Sequence, residues 1–213
     1  STLVGLVLLF TLMTDLAIKG FPRLSYKFFA SFPSRFPDEA GILSAWVGSS
    51  LVLLVTAMAA ITLGIAAGIY LEEYSRKNWI TDIIEINIAN LAGVPSIVYG
   101  LLALGLFVYF FKFGESILTG GLALALLILP MVIMATRESI RAIPNSIREA
   151  SYALGATKWQ TVQHHVIPYS TGGILTGVII GLSRAIGEKA PIITVGALTF
   201  IAFLQTSPFM SSF

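Results

Sequence analysis

Residues 149–168 read EASYALGATKWQTVQHHVIP. This polar stretch lies between two strongly apolar runs, and its punctuation predicts two short helices joined at a glycine. Ser146 followed three residues later by Glu149 makes a capping-box pattern, and Thr157 followed by Gln160 makes a second, so two helix starts are signalled independently. Gly155 falls where the first helix has to stop, because a residue without a Cβ can take the left-handed conformation that closes a helix C-terminus. Pro168 is expected to end the second helix, since a proline disfavours helical geometry in the residue before it. Ile147, Ala150 and Leu154 then share one face of the first helix, and Trp159, Val162 and Val166 share one face of the second. The expected product is a small protruding knob, suited to a water-soluble partner.

Around this knob the composition is that of a membrane protein. Hydrophobic residues fill 56% of 213 positions and charged residues only 11%, well below the near-quarter charged fraction of an ordinary soluble domain. A net charge of +2 gives no basic surface for nucleic acid, so the helix-turn-helix outline of the knob carries no such meaning. The absence of cysteine excludes disulfides, thiol nucleophiles and thiolate metal sites. Ser1 opens inside an apolar run with no charged leader region, and Phe213 follows an amphiphilic stretch. A polar N-terminal tail and a last helix are therefore expected to be missing.

A helix crosses about 30 Å of hydrocarbon with roughly twenty residues. By that measure the runs 3–18, 42–70, 83–111 and 117–136 are spans, and the shorter, glycine-rich run 172–186 is a fifth. The run 192–204 is too short to cross and reads as re-entrant, interfacial or a lead-in to a further span. Between the first two spans, residues 19–40 carry Pro22, Pro33 and Pro37, four basic residues and several aromatics, the composition of an ordered excursion at headgroup level. Positive charge does not orient the bundle. Arg76, Lys77, Arg137, Arg141, Arg148 and Lys158 fall on the side of the knob, and Lys19, Arg23, Lys27, Arg35, Lys112 and Lys189 on the other, a tie.

Several residues within the spans invite a functional reading. Gly173, Gly177 and Gly181 recur every fourth residue and bare one helical face to a close neighbour; packing within the bundle is favoured slightly over a subunit contact. Gly64 and Gly68 repeat the pattern more weakly. Arg184 and Glu188 stand one turn apart at the end of the fifth span, where an ionisable side chain must face protein or water. A guanidinium suits a tetrahedral oxyanion, while a local ion pair that orders the helix end explains the pair equally well. Asp15 reads as interfacial. Pro95, between Gly93 and Gly100, predicts a kink, and Asn87 and Asn90 could hydrogen-bond across helices.

Hydrolytic chemistry finds no support. His164 and His165 are adjacent, so on a helix they point about 100° apart and cannot chelate as an i, i+4 pair could. Neither a Walker A loop, an HExxH motif nor a GxSxG elbow is present, so no ATPase site of its own, no metal and no cofactor are expected. An ion-driven secondary transporter would need several ionisable groups near mid-membrane, and a membrane-embedded hydrolase a nucleophile and base on facing spans. Apart from Arg184 the mid-span positions are apolar, and both histidines lie in the knob.

The knob closely resembles the cytoplasmic loop of ABC importer permeases, whose pattern is EAA, three residues, Gly, nine residues, then I-x-L-P. Glu149, Ala150, Gly155 and Pro168 match in register; Ser151 replaces the second Ala, His165 stands where Ile is usual, and Ile167 replaces Leu. SFPSRFPDEAGI at 31–42, LAGVPSIVYGL at 91–101 and SRAIGEKAP at 183–191 resemble the phosphate importer permeases of the PstA type, and the sister PstC type shares parts of them. The resemblance implies an all-α polytopic bundle of about six helices, the last absent here, with the type I, MetI-like permease fold. It implies a single permease domain over residues 1–213, with residues 145–168 as its cytoplasmic coupling loop, carried by Glu149, Ala150, Gly155, Trp159 and Pro168. A heterodimer with the sister permease would form the path, a dimeric cytoplasmic ABC ATPase would bind beneath, and an extracytoplasmic phosphate-binding protein would dock outside. The protein would sit among lipid in the cytoplasmic (inner) membrane, with the knob inside. The Arg and Glu of the RAIGE segment belong to the transport path in that family, which implies that role for Arg184 and Glu188. The alternatives are the PstC-type subunit and a permease for another small oxyanion.

Overall fold

In a medium without water every backbone N–H and C=O must find a partner within its own segment, which favours helices. The computed structural model describes residues 2–36, 39–76 and 78–196, and every regular element among them is helical. Two compact units divide the chain, the first built mostly of residues 1–49 and the second mostly of residues 50–199.

In the first unit, α1 (Thr2–Gly20) buries no residue, and Lys19 pairs with Asp15 at 2.8 Å along its surface. A short turn (Phe21–Arg23) with Pro22 in its second position leads to α2 (Tyr26–Ala30). The excursion is then tied down: Ile42 N–H donates to Phe28 O at 2.9 Å, Gly41 N–H to Phe32 O at 3.0 Å, and Trp46 Nε1–H to Phe29 O at 3.2 Å. These bonds order a segment whose prolines deny it a long helix.

The second unit is reached through α3 (Leu43–Ile69), whose last turn widens over Tyr70–Tyr74. It continues through α4 (Trp79–Ala92), α5 (Ser96–Ala103, widening over Leu104–Phe110), α6 (Ile117–Arg141), α7 (Asn145–Ala153), α8 (Lys158–Thr161), α9 (Ile167–Gly187) and α10 (Ala190–Thr194). Among the described residues four helical stretches are long and apolar enough to cross a membrane, and the pair α4 and α5 makes a fifth if counted as one broken span.

Helix α6 is the most enclosed, with 67% of its apolar window buried. Lipid tails are as apolar as leucine, so association of spans rests on close packing rather than on transfer out of water. Small residues supply it. A Cβ on Gly64 would lie 2.7 Å from Val132 Cγ1, and one on Gly68 2.6 Å from Thr136 Cβ, which brings α3 against one side of α6. On α9, Gly173 abuts Ser139, Gly177 abuts Ala135, and a Cβ on Gly181 would meet Val132 Cγ2 at 3.4 Å. The glycine stripe therefore faces α6 within the same unit. Around these contacts Ala60, Leu124, Leu127, Ile128 and Ala185 form a buried cluster.

Three features depart from what the sequence leads one to expect, two of them at prolines. The kink expected at Pro95 is a break, with α4 and α5 bent by 105°. Gly93 ends α4, and Pro95, held at φ −55° and ψ 135°, lies outside both helices, so two residue types that disfavour helix stand within three positions. Pro168 does not stop a helix. Residues from Lys158 to Gly187 form one continuous apolar stretch, because the turn over Val162–Val166 holds an extra residue and Ile167 N–H donates to Val162 O, five residues back. That widened turn relieves the clash that Pro168 would have with the carbonyl four residues before it. Asn87, finally, bonds within its own helix, Nδ2 to Ile83 O at 2.8 Å. Of the run 192–204, the residues from 197 onward lie outside the described residues.

Candidate functional site

The knob is a helix, a closed turn and a helix. Helix α7 starts at Asn145, directly after Pro144 (φ −59°, ψ 136°), and no side chain caps it. The expected capping box of Ser146 and Glu149 is therefore absent, because Pro144 sets the helix start two residues earlier and leaves Ser146 inside the first turn. At the other end Gly155 takes φ +83°. Ala156 N–H donates to Ser151 O at 3.2 Å and Gly155 N–H to Tyr152 O at 2.9 Å, the paired bonds of a Schellman closure. Helix α8 then starts with the predicted box: Gln160 N–H donates to Thr157 Oγ1 at 3.3 Å, and Thr157 N–H donates to Gln160 Oε1 at 2.8 Å.

Two kinds of surface result. Inward, Val162 and Val166 are fully buried, Val166 in a cluster with Ile140 and Ile143 that Ile69 and Ile147 flank. Between the helices, the Ser151 and Thr161 hydroxyls meet at 2.8 Å. The buried face of α7 is thus Ile147 with Ser151, while Ala150 and Leu154 face out. Outward, Leu154 is 90% exposed and Trp159 60%, with Tyr152, Glu149 and Pro168 also exposed. Large apolar side chains held at the tip of a polar hairpin are the usual mark of a protein contact.

Beneath the knob lies a charged frame. Arg148 Nε and Nη2 donate to Glu73 Oε1 at 3.0 and 2.8 Å, Nη2 also to Ile140 O at 3.1 Å, and Nη1 to Ile143 O at 3.1 Å. One guanidinium thereby joins the end of α3, a carbonyl in the last turn of α6 and one in the turn after it, and α7. Its side chain is 16% exposed and that of Glu73 7%, so the pair is largely desolvated. Arg137, buried, binds Glu72 at 3.3 Å and Glu85, and Arg141 Nε reaches both Glu72 oxygens at 2.9 Å. An open polar cleft of about 470 Å³ borders this group. Lys158 lies 5.2 Å from the Tyr74 ring centroid, a further link from α8 to the end of α3.

Arg184 and Glu188 lie elsewhere, half-buried at the end of α9. They do not pair among the described residues. Glu188 Oε1 instead accepts a hydrogen bond from Ser96 Oγ at 3.0 Å, the first residue after the break at Pro95. Arg184 stands within electrostatic reach of the Tyr99 hydroxyl, which itself donates to Leu91 O at 2.6 Å. A cation, a carboxylate and a broken span are thus brought together. Among the described residues no group of histidine and carboxylate side chains could hold a metal ion, and His164 and His165 are exposed in the widened turn.

Residues 60–211 match the family described as binding-protein-dependent transport system inner membrane component. The chain belongs to this family. A probable ABC transporter permease protein of Bacillus subtilis, YqgI, is 34% identical over 200 residues, 93% of this chain and 68% of that protein. The phosphate transport system permease proteins PstA of Yersinia pestis and Mycobacterium leprae are each 36% identical, over 91% and 92% of this chain and 65% of each relative. The chain thus spans about two thirds of the length of these relatives. A solved structure of inward facing conformations of the MetNI methionine ABC transporter shares the fold, with a TM-score of 0.60 at 18% identity over 70% of this chain and 71% of that one. The architecture is therefore that of an inner-membrane ABC permease, all-α and MetI-like.

In this permease the charged frame is what sequence reasoning passed over. Glu72 and Glu73 at the end of one span and Arg137 and Arg141, one turn apart at the end of another, were the available signal, since charge at a span's end that can find an opposite charge does so. Ser96 carried no signal beyond its place after Pro95.

Proposed function

We propose that this chain is the permease subunit of an ATP-driven importer of inorganic phosphate. Residues 1–213 act as one permease domain in the cytoplasmic membrane, with residues 145–168 as its cytoplasmic coupling loop. The chain pairs with a sister permease to enclose the path. An ABC ATPase dimer hydrolyses ATP below, and a phosphate-binding protein delivers substrate from the opposite side. The observation that carries this reading is the knob itself: a hairpin closed by Gly155, capped at Thr157 and anchored by Arg148, with Leu154 and Trp159 bare at its tip. A rigid lever of this kind transmits the closing of the ATPase to the spans, since α8 runs without interruption into α9. The phosphate relatives support the substrate, and Arg184 supports it chemically, because a guanidinium offers paired donors to a tetrahedral oxyanion.

At the path, Arg184 contacts the passing anion and Glu188 borders it. Radiolabelled phosphate uptake in cells that depend on this transport system tests both assignments. Arg184→Ala is expected to cut uptake while the subunit still copurifies with its ATPase. Unchanged uptake would return Arg184 to a structural role, and unchanged uptake on deletion of the whole subunit would remove the phosphate reading.

A further inference from the structure

Glu188 follows the last turn of α9, with its backbone at φ −94° and ψ 119°. A carboxylate there faces the negative end of the helix dipole, whereas Arg184 in the last turn is favourably placed. With α9 ending at Gly187, Glu188 stands four residues beyond Arg184, the sequence spacing at which opposite charges on a continuing helix could meet. Glu188 is instead drawn across to Ser96 Oγ at 3.0 Å, at the start of α5, where the positive end of a helix continuing to Phe110 favours an anion. The contact is braced one turn further on. Gly100 has no room for a Cβ, because Thr194 abuts it and Pro191 Cα would lie 2.8 Å away, so α10, which starts two residues after Glu188, is pressed onto α5.

We infer that Ser96 is a positioning residue for transport: it holds Glu188 on α5 and so leaves the Arg184 guanidinium without a carboxylate and open to an oxyanion. This rests on the assignment of Arg184 to the phosphate path. Without the Ser96 hydroxyl, Glu188 is released to turn back toward the Arg184 guanidinium four residues before it, and the resulting internal pair occupies the donors that a tetrahedral anion needs. Ser96 acts through Glu188 and touches no substrate.

The test is phosphate uptake at saturating phosphate by cells carrying the full transport system, with membrane abundance measured alongside. Ser96→Ala is expected to lose about tenfold in uptake, the scale of one hydrogen bond to a charged acceptor, at unchanged abundance. Ser96→Thr keeps the hydroxyl and should stay within about twofold of the unaltered protein. In a Glu188→Gln background Ser96→Ala should cost less than about twofold, since its effect passes through that carboxylate. Full uptake in Ser96→Ala, equal failure of Ser96→Thr, or losses that multiply in the double variant would each overturn the inference. If Ser96→Ala keeps uptake while Arg184→Ala loses it, the inference falls and the path assignment stands; if Arg184→Ala keeps uptake, the path assignment falls with it.

Discussion

Replacing Arg148 by alanine should unseat the knob without removing the protein from the membrane. The guanidinium holds Glu73, the Ile140 carbonyl in the last turn of α6 and the Ile143 carbonyl just beyond it, with four donor contacts between 2.8 and 3.1 Å. Truncation leaves the Glu73 side chain, 7% exposed, without the cation that compensates it. Breaking a buried pair from one side costs about 3–5 kcal/mol, and the 16% exposure of Arg148 places this case at about 3. That figure moves the balance between seated and displaced knob by roughly two orders of magnitude. Hydrogen exchange of the α7 amides in the assembled transporter reads the balance directly, and protection there should fall by about a hundredfold while the α6 core around Leu127 and Ile128 stays protected. Adding Glu73→Gln should recover about tenfold, because a neutral amide replaces the unpaired buried charge. Arg148→Lys should not restore protection, since one ammonium cannot span the carboxylate and both carbonyls. If α7 protection in Arg148→Ala stays within about threefold of the unaltered protein, the frame does not anchor the knob and the lever account loses its fulcrum.

Other substitutions probe the same hairpin and its base. Gly155→Pro fixes φ near −65° where the chain requires +83° and deletes the N–H that donates to Tyr152, so phosphate uptake should be abolished with the subunit still in the membrane; normal uptake would count against a rigid turn. Thr157→Ala removes a real capping box and should destabilise α8 by about 1 kcal/mol, whereas Ser146→Ala, inside the first turn of α7, should be neutral within about 0.5 kcal/mol; exchange rates of the two helices separate these outcomes. Gly177→Val places a branched side chain where Ala135 already abuts the helix, so membrane abundance of the assembled subunit should drop sharply, and full abundance would show that α9 and α6 do not pack this closely.

What could be read in advance depended on the range of the interaction. The expected run 3–18 became Thr2–Gly20 and 42–70 became Leu43–Ile69, because length in a bilayer is set by composition alone. The turn at Gly155 and the cap at Thr157 were legible because their hydrogen bonds close within five residues. Pro168 misled because its effect depends on the turn before it, where one extra residue reroutes the ladder. The charged frame joins residues 52 to 75 positions apart, from Glu85 with Arg137 to Glu73 with Arg148, and no local pattern declares which of several charges will meet. The same holds for Ser96 and Glu188, 92 positions apart. Spacing left an ion pair between Arg184 and Glu188 open; the packing of α10 on α5 decides against it.

The claim that the hairpin is a lever seated in a cytoplasmic motor is open to one direct measurement. A photo-reactive residue at Leu154, the most exposed large apolar side chain of the knob, can be activated in intact cells carrying the whole transport system. Covalent capture of the nucleotide-binding subunit, abolished when that subunit is omitted, is the result expected here. Capture of an extracytoplasmic protein instead, with no nucleotide-binding subunit joined, would contradict it.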